Sequence, residues 1–405
     1  MGIFSRKEKI VPPQVAIHLD HAGPYAPGLP ITGSVHVQTP VPRPISSVAI
    51  TCVGKATTHN IRRVQRAGAG VGMASGPNTS TRRTIHYHDD AQLFREAQGL
   101  FSDTELIPEK PLTTQFSLTI PWGTEDVHGG GPYVEGRSNP EAYTTRSHPL
   151  PPTFVHQHDS DRYASIEYGL QVLIHFADGS SEPYASPVKG FVLIPLPNHS
   201  PSDARFLESI RPSEKYSSSR LTGAEKSAIH SFKDKFSSST PSVNVVLKAR
   251  TVSIVPTGSS FSIQTCAEID SFSVDSISIP SVQLRIRDVK LMPITFYRAL
   301  RVESLASSSL DRGEHEEIDE EKILLNANPD TQTVQGEQRM AENSSKLVFP
   351  ATFEARIPSS VCPSFRTLNI NRTYRLKMVL RADICGKEFE HKFELSVAVD
   401  TPAVR

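Results

Sequence analysis

Two short stretches bring metal-ligating side chains together: His86 and His88 with Asp89 and Asp90, and His156 and His158 with Asp159 and Asp161. Imidazole and carboxylate side by side suit a divalent cation. Neither stretch follows a zinc spacing with cysteine or a helical HExxH. A chain with fifteen histidines also makes such neighbours by chance, so no metal is expected. Gly68, Gly70 and Gly72 suggest a phosphate loop, but no GxGxxG is completed, no Gly-Lys-Ser/Thr follows, and no apolar strand precedes them. A GxSxG nucleophile elbow is absent. Neither a catalytic residue nor a cofactor is expected.

Arginines make the stronger case. Arg62, Arg63, Arg66, Arg82 and Arg83 flank a Gly/Ala/Ser tract within residues 60–90, which reads as a long mobile loop of basic character. A guanidinium fork can hold a phosphate in two hydrogen bonds, so this loop is expected to meet anionic lipid or a phosphorylated tail. A plain solvated linker is the competing reading. Residues 304–345 carry Asp311, Glu314, Glu316, Glu317, Asp319, Glu320 and Glu321 with few large apolar residues, and are expected to be disordered.

The elements around these segments read as strands. Ile166, Tyr168, Leu170, Val172, Ile174 and Phe176 take every second position, with Glu167, Gln171 and His175 opposite. Tyr374, Leu376, Met378 and Leu380 repeat the pattern against Arg375, Lys377 and Arg381, as do the odd positions from Phe389 to Val399. Sheets with one apolar and one polar face are antiparallel and packed in pairs. At 405 residues, with 32 prolines, the chain suits two such sandwiches joined by turns rather than helices. Their expected extents are residues 10–198 and 241–400. Between them, residues 199–240 read as a linker with a short amphipathic helix: Thr222 and Glu225 form a capping box, and Ile229, Phe232 and Phe236 follow at helical spacing.

Forty-three basic residues balance forty-three acidic ones, so nothing global draws the chain to nucleic acid. No apolar run is long enough for a helical membrane span, the N-terminal residues lack a signal peptide's apolar core, and the four cysteines form no CxxC pair. An intracellular protein with reduced thiols is expected.

Residues 25–37, YAPGLPITGSVHV, add a more specific signal. Pro27 and Gly28 suit a type II turn, and Ile31, Gly33, Val35 and Val37 share one strand face, with Gly33 where a side chain would crowd a neighbour. This opening resembles that of an arrestin N-terminal domain. PVPRPISSVAITC (40–52), FSLTIPWG (116–123) and IEYGLQVLIHF (166–176) resemble its later strands in order, and residues 346–399 resemble, more loosely, the end of an arrestin C-terminal domain. The resemblance implies an all-β chain of two tandem antiparallel, immunoglobulin-like sandwiches. It also implies a non-catalytic cytoplasmic adaptor that binds cytoplasmic tails of membrane proteins and links them to endocytic trafficking or ubiquitination at the plasma membrane or endosomes. Many α-arrestins recruit HECT-type ubiquitin ligases through PPxY motifs, whereas this chain offers only Pro151-Pro152-Thr153-Phe154. A second reading is a β-sandwich hydrolase or carbohydrate-active protein. Such an enzyme gathers titratable groups in one deep pocket, whereas an adaptor presents shallow basic surface.

Overall fold

The computed structural model describes residues 11–66, 81–124, 148–177, 182–197, 199–222, 241–271, 279, 281–301, 314–327, 331–341 and 344–402. They are almost entirely β-strand, in antiparallel sheets with one three-residue parallel pairing, Ile254–Pro256 against residues 398–400. The chain divides into two compact units. The first holds Met1–Leu196 with Phe296–Ile318 and Phe365–Asn371; the second holds Pro197–Thr295, Asp319–Ser364 and Arg372–Arg405.

The first unit has a sheet of β1 (Gln14–Leu19), β2 (Pro30–Gln38) and the later strand Leu112–Thr119. Its other sheet is built on β3 (Arg43–Arg66), β4 (Thr81–Leu106) and, counting Leu112–Thr119 as β5, on β6 (Phe154–Gln157) and β7 (Arg162–Phe176). Alternation holds where the sequence shows it. Ile166, Leu170, Val172 and Ile174 are fully buried, as are Ile31, Val35 and Val37 on β2. Pro27 and Gly28 form the expected turn: Leu29 N donates to Ala26 O, and Gly28 has φ +78°, a value suited to the third residue of a type II turn. The Trp122 ring covers Gly28 so closely that a Cβ there would lie 2.2 Å from it.

Gly33 sits opposite Leu19, and a Cβ at this position would come within 2.0 Å of the His18 carbonyl oxygen. The obstacle is backbone, so the β1–β2 pair must part to admit a methyl group. Gly33→Ala should therefore destabilise the first unit by about 1–3 kcal/mol. Thermal unfolding followed by the fluorescence of Trp122, the chain's one tryptophan, tests this. An unchanged midpoint would contradict it.

Three sequence expectations are corrected. Residues 60–66 and 81–90, expected in a mobile loop, are the paired ends of β3 and β4, in unbroken register from Lys55↔Gln92 to Arg66↔Thr81. The glycine-rich tract, residues 67–80, lies outside the described residues. Basic and polar side chains hid the hairpin because at its end alternation no longer marks one apolar and one polar face. Secondly, residues 199–222 are not a linker: Phe206–Ile210 and Glu214–Ser217 pair antiparallel with Ser242–Val252 as strands of the second unit. The expected amphipathic helix lies in residues 223–240, outside the described residues. Lastly, described parts of the acidic insertion are strands. Glu314–Glu320 and Gln332–Val334 pair with Val282–Arg301, and Glu337–Ala341 pairs with Ser344–Arg356.

In the second unit, Ser260–Ser271 lies between Ser242–Val252 and Ser344–Arg356, and Ile370–Ile384 pairs with Lys387–Asp400. Val245, Leu247, Ile263, Phe349, Leu376, Leu380 and Phe393 share one apolar core. All four cysteines are free thiols. Burial, with Glu96 adding, pushes the Cys52 thiol up to about 12, which makes it unreactive packing.

Candidate functional site

The ends of β3, β4 and β7 gather most of the residues singled out by their chemistry. Between Lys55 and Arg66 the β3–β4 register has no bulge, so side chains alternate strictly between two faces.

One face is a buried polar layer. Thr58, Asn60, Tyr87 and Asp89 lie under it, with Arg298 almost fully enclosed. Thr58 Oγ1 donates to the Arg298 carbonyl at 2.6 Å, and Arg298 N donates to Asn369 O at 2.9 Å. The Asn369 side-chain amide donates to Ala56 O at 3.0 Å. Thr367 Oγ1 shapes the turn that presents Asn369 by accepting from the backbone of Asn369 and Ile370. Backbone groups that a strand end would otherwise bury unsatisfied are thus partnered by residues more than two hundred positions away.

Where this layer reaches solvent, Asn60, Ile61, Arg62, Arg63, Arg162 and Glu317 line an open pocket of about 410 Å³. Arg63 Nη2 lies 2.7 Å from Asp161 Oδ2. Arg162 grips Asp159 through Nε at 3.0 Å and Nη2 at 2.8 Å, and its Nη1 lies 3.7 Å from Glu317 Oε2. Asn60 Nδ2 donates to Glu317 Oε1 at 3.3 Å. Hydrogen bonds from Arg162 and the Asp161 backbone hold the Asp159 carboxyl below its ordinary range. Arg62 is exposed and makes no ion pair among the described residues.

Of the five arginines expected to bind partner or lipid, Arg62 and Arg63 thus line one pocket. Arg66, Arg82 and Arg83 lie in paired backbone of the same hairpin, opposite Thr81, Gln65 and Val64, with side chains outside the described residues. The surroundings are not uncharged, as the local sequence suggests. Asp159, Asp161 and Glu317, from distant segments, pair with Arg63 and Arg162, and Arg62 makes no ion pair among the described residues. Sequence reasoning missed Arg162 and Glu317. The Asp-Ser-Asp-Arg run at 159–162 was the available signal, since Asp159 Oδ1 accepts from Asp161 N and turns the chain so that Arg162 folds back.

Alternation splits the first histidine cluster. Asp89 faces the buried layer, while His86, His88 and Asp90 point outward. In the second, His156 and His158 stay together, with ring nitrogens within 4.8 Å of one another. His156 is buried against Phe154 and Tyr297, and the neighbouring carboxylates Asp159 and Asp161 are engaged by arginines.

A second depression of the first unit, about 730 Å³, is lined largely by Val53, Val188, Phe191 and Val192, with Lys55 and Glu167 as its charged groups. Pro151-Pro152-Thr153-Phe154 borders it. Phe154 is buried, and the Pro151 carbonyl accepts from Tyr168 Oη at 2.7 Å, so this nearest approach to PPxY is closed to an aromatic groove. No family model and no curated protein matches the chain.

Proposed function

We propose that the protein is a non-catalytic cytoplasmic adaptor that binds anionic groups on cytoplasmic tails of membrane proteins and links them to endocytic trafficking or ubiquitination. The carrying observation is the arginine pocket at the end of β3 and β4, where Arg62 is exposed and without an ion pair among the described residues, beside two arginines already aligned by carboxylates. The arrestin-like sequence pattern supports the same reading. A guanidinium without an internal counter-ion gains the most from an external phosphate or carboxylate, because no existing pair must first be broken. Recruitment to the plasma membrane or endosomes follows from such tails, reinforced by anionic lipid near the same hairpin. Engagement of a HECT-type ligase would need a surface other than Pro151–Phe154.

The test is binding to phosphorylated and unphosphorylated tail peptides and to phosphatidylserine vesicles at low salt. Replacing Arg62, Arg63, Arg66, Arg82 and Arg83 together by alanine should abolish salt-sensitive binding. Arg62→Ala alone should weaken it about fivefold, the worth of roughly 1 kcal/mol per basic group. Arg63→Ala should matter less, because it also releases Asp161. Glu317→Gln should strengthen binding by removing the pocket's resident carboxylate. Full binding by the five-alanine protein would reject the arginine pocket as the docking site.

A further inference from the structure

The outward face of the same strand ends carries a group that anion binding does not use. His59 on β3 stands directly opposite His88 on β4 and opposite Tyr163 on β7, and His86 stands two pairs further along, opposite Ile61. All three imidazoles therefore lie on one side of the sheet. The His59 ring centroid is 6.2 Å from that of His88 and 6.4 Å from that of His86, and the Tyr163 ring packs at 6.4 Å on its other side. Residues two apart on a strand sit on the same face, so His86 and His88 both lean over the half-buried His59.

We propose that His59, His86 and His88 form a binding site for a late divalent transition-metal ion, of the zinc or copper class. Imidazole nitrogen is the ligand such ions favour. A zinc–nitrogen bond of about 2.0–2.1 Å brings ligating rings to centroid separations of about 5 Å. His86 and His88 each stand roughly 1 Å further from His59 than that, so an ion must draw the exposed His86 and His88 rings in by side-chain rotation.

The surroundings prepare these nitrogens. His88 Nε2 lies 3.2 Å from Asp90 Oδ2, which leaves Nδ1 for an ion and supplies the outer carboxylate that commonly orients a ligating imidazole. Asp90 is itself held by Lys55 at 2.7 Å and by Thr57 Oγ1 at 2.8 Å. The two cations bordering the row, Lys55 and Arg63, are each tied to a carboxylate, which limits their repulsion of an incoming cation.

The experiment is titration of the metal-free chain with Zn2+ by calorimetry, and with Cu2+ by visible absorption. One ion per chain is expected, with affinity reduced about tenfold or more in the His86→Gln, His88→Gln double variant and in His59→Gln. His86 and His88 are exposed, so the double variant should keep the wild-type unfolding midpoint without metal, read by Trp122 fluorescence. The titrations use a His158→Gln background, because the ring nitrogens of His156 and His158 also lie within 4.8 Å of one another. In that background His175→Gln, at the far end of β7, should bind as the parent does. Absence of saturable Zn2+ binding would overturn the proposal. Undiminished binding by the double variant, or an equal loss in His175→Gln, would overturn it too.

Discussion

Leu170→Ala should lower the stability of the first unit by about 2–5 kcal/mol, through lost burial and the cavity left behind. Leu170 is fully buried on β7, opposite Cys52 of β3 on one side and Lys189 on the other. Backbone is paired on both flanks, so the site has little room to collapse. Gln171→Ala should cost only about 1 kcal/mol. That is more than a solvent-facing residue would cost, because its side chain is half-buried and its Nε2 donates to Ser186 O at 2.8 Å. Urea unfolding followed by Trp122 fluorescence measures both. Equal losses would mean that the alternation along β7 has no energetic content.

The second large effect belongs to Arg372. Its side chain is only 7% exposed, with Nε donating to Tyr374 Oη at 3.0 Å, Nη1 to Thr295 Oγ1 at 2.5 Å and Nη2 to Glu321 Oε2 at 3.0 Å. Arg372→Ala should cost about 2–4 kcal/mol, since it empties the space of the side chain and takes donors from buried hydroxyls. Glu321 is 42% exposed, so its pairing is screened and Glu321→Ala should cost less, about 1–2 kcal/mol. Arg372→Met keeps much of the volume and removes the buried charge, so it should be milder than Arg372→Ala. In that background Glu321→Ala should add almost nothing, because there is no guanidinium left to neutralise. Calorimetry should show the second unit's transition moving while Trp122 fluorescence stays put. If Glu321→Ala costs as much with methionine at position 372 as with arginine, the carboxylate does not act through Arg372.

The strands most legible in the sequence are those whose periodicity is local and apolar. Tyr374, Leu376, Met378 and Leu380 are buried as their spacing implies, and Arg375, Lys377 and Arg381 take Glu394, Glu388 and Glu390 as partners across the strand pair. The Pro27-Gly28 turn and the crowding at Gly33 were equally readable, because backbone chemistry at those positions narrows the choices. The acidic insertion misled for the opposite reason. Its composition predicts disorder only while its carboxylates lack partners. Glu317 meets Arg162, and Glu321 meets Arg372, at sequence separations that no local window spans.

The candidate site follows the same division. Sequence alone determined an all-β chain, the arginine-rich stretch and the histidine pairs, since residue type and period two are local properties. Tertiary structure decided that residues 60–66 and 81–90 are a hairpin, and that Arg63, rather than its neighbour Arg62, is paired with Asp161. It also separated His88 from Asp89 and set it across from His59. The physical reason is the pleat: adjacent residues on a strand face opposite ways, while residues 29 positions apart, His59 and His88, face the same way once register is set. Register depends on which strands pair over the whole sheet, and only the folded chain specifies that.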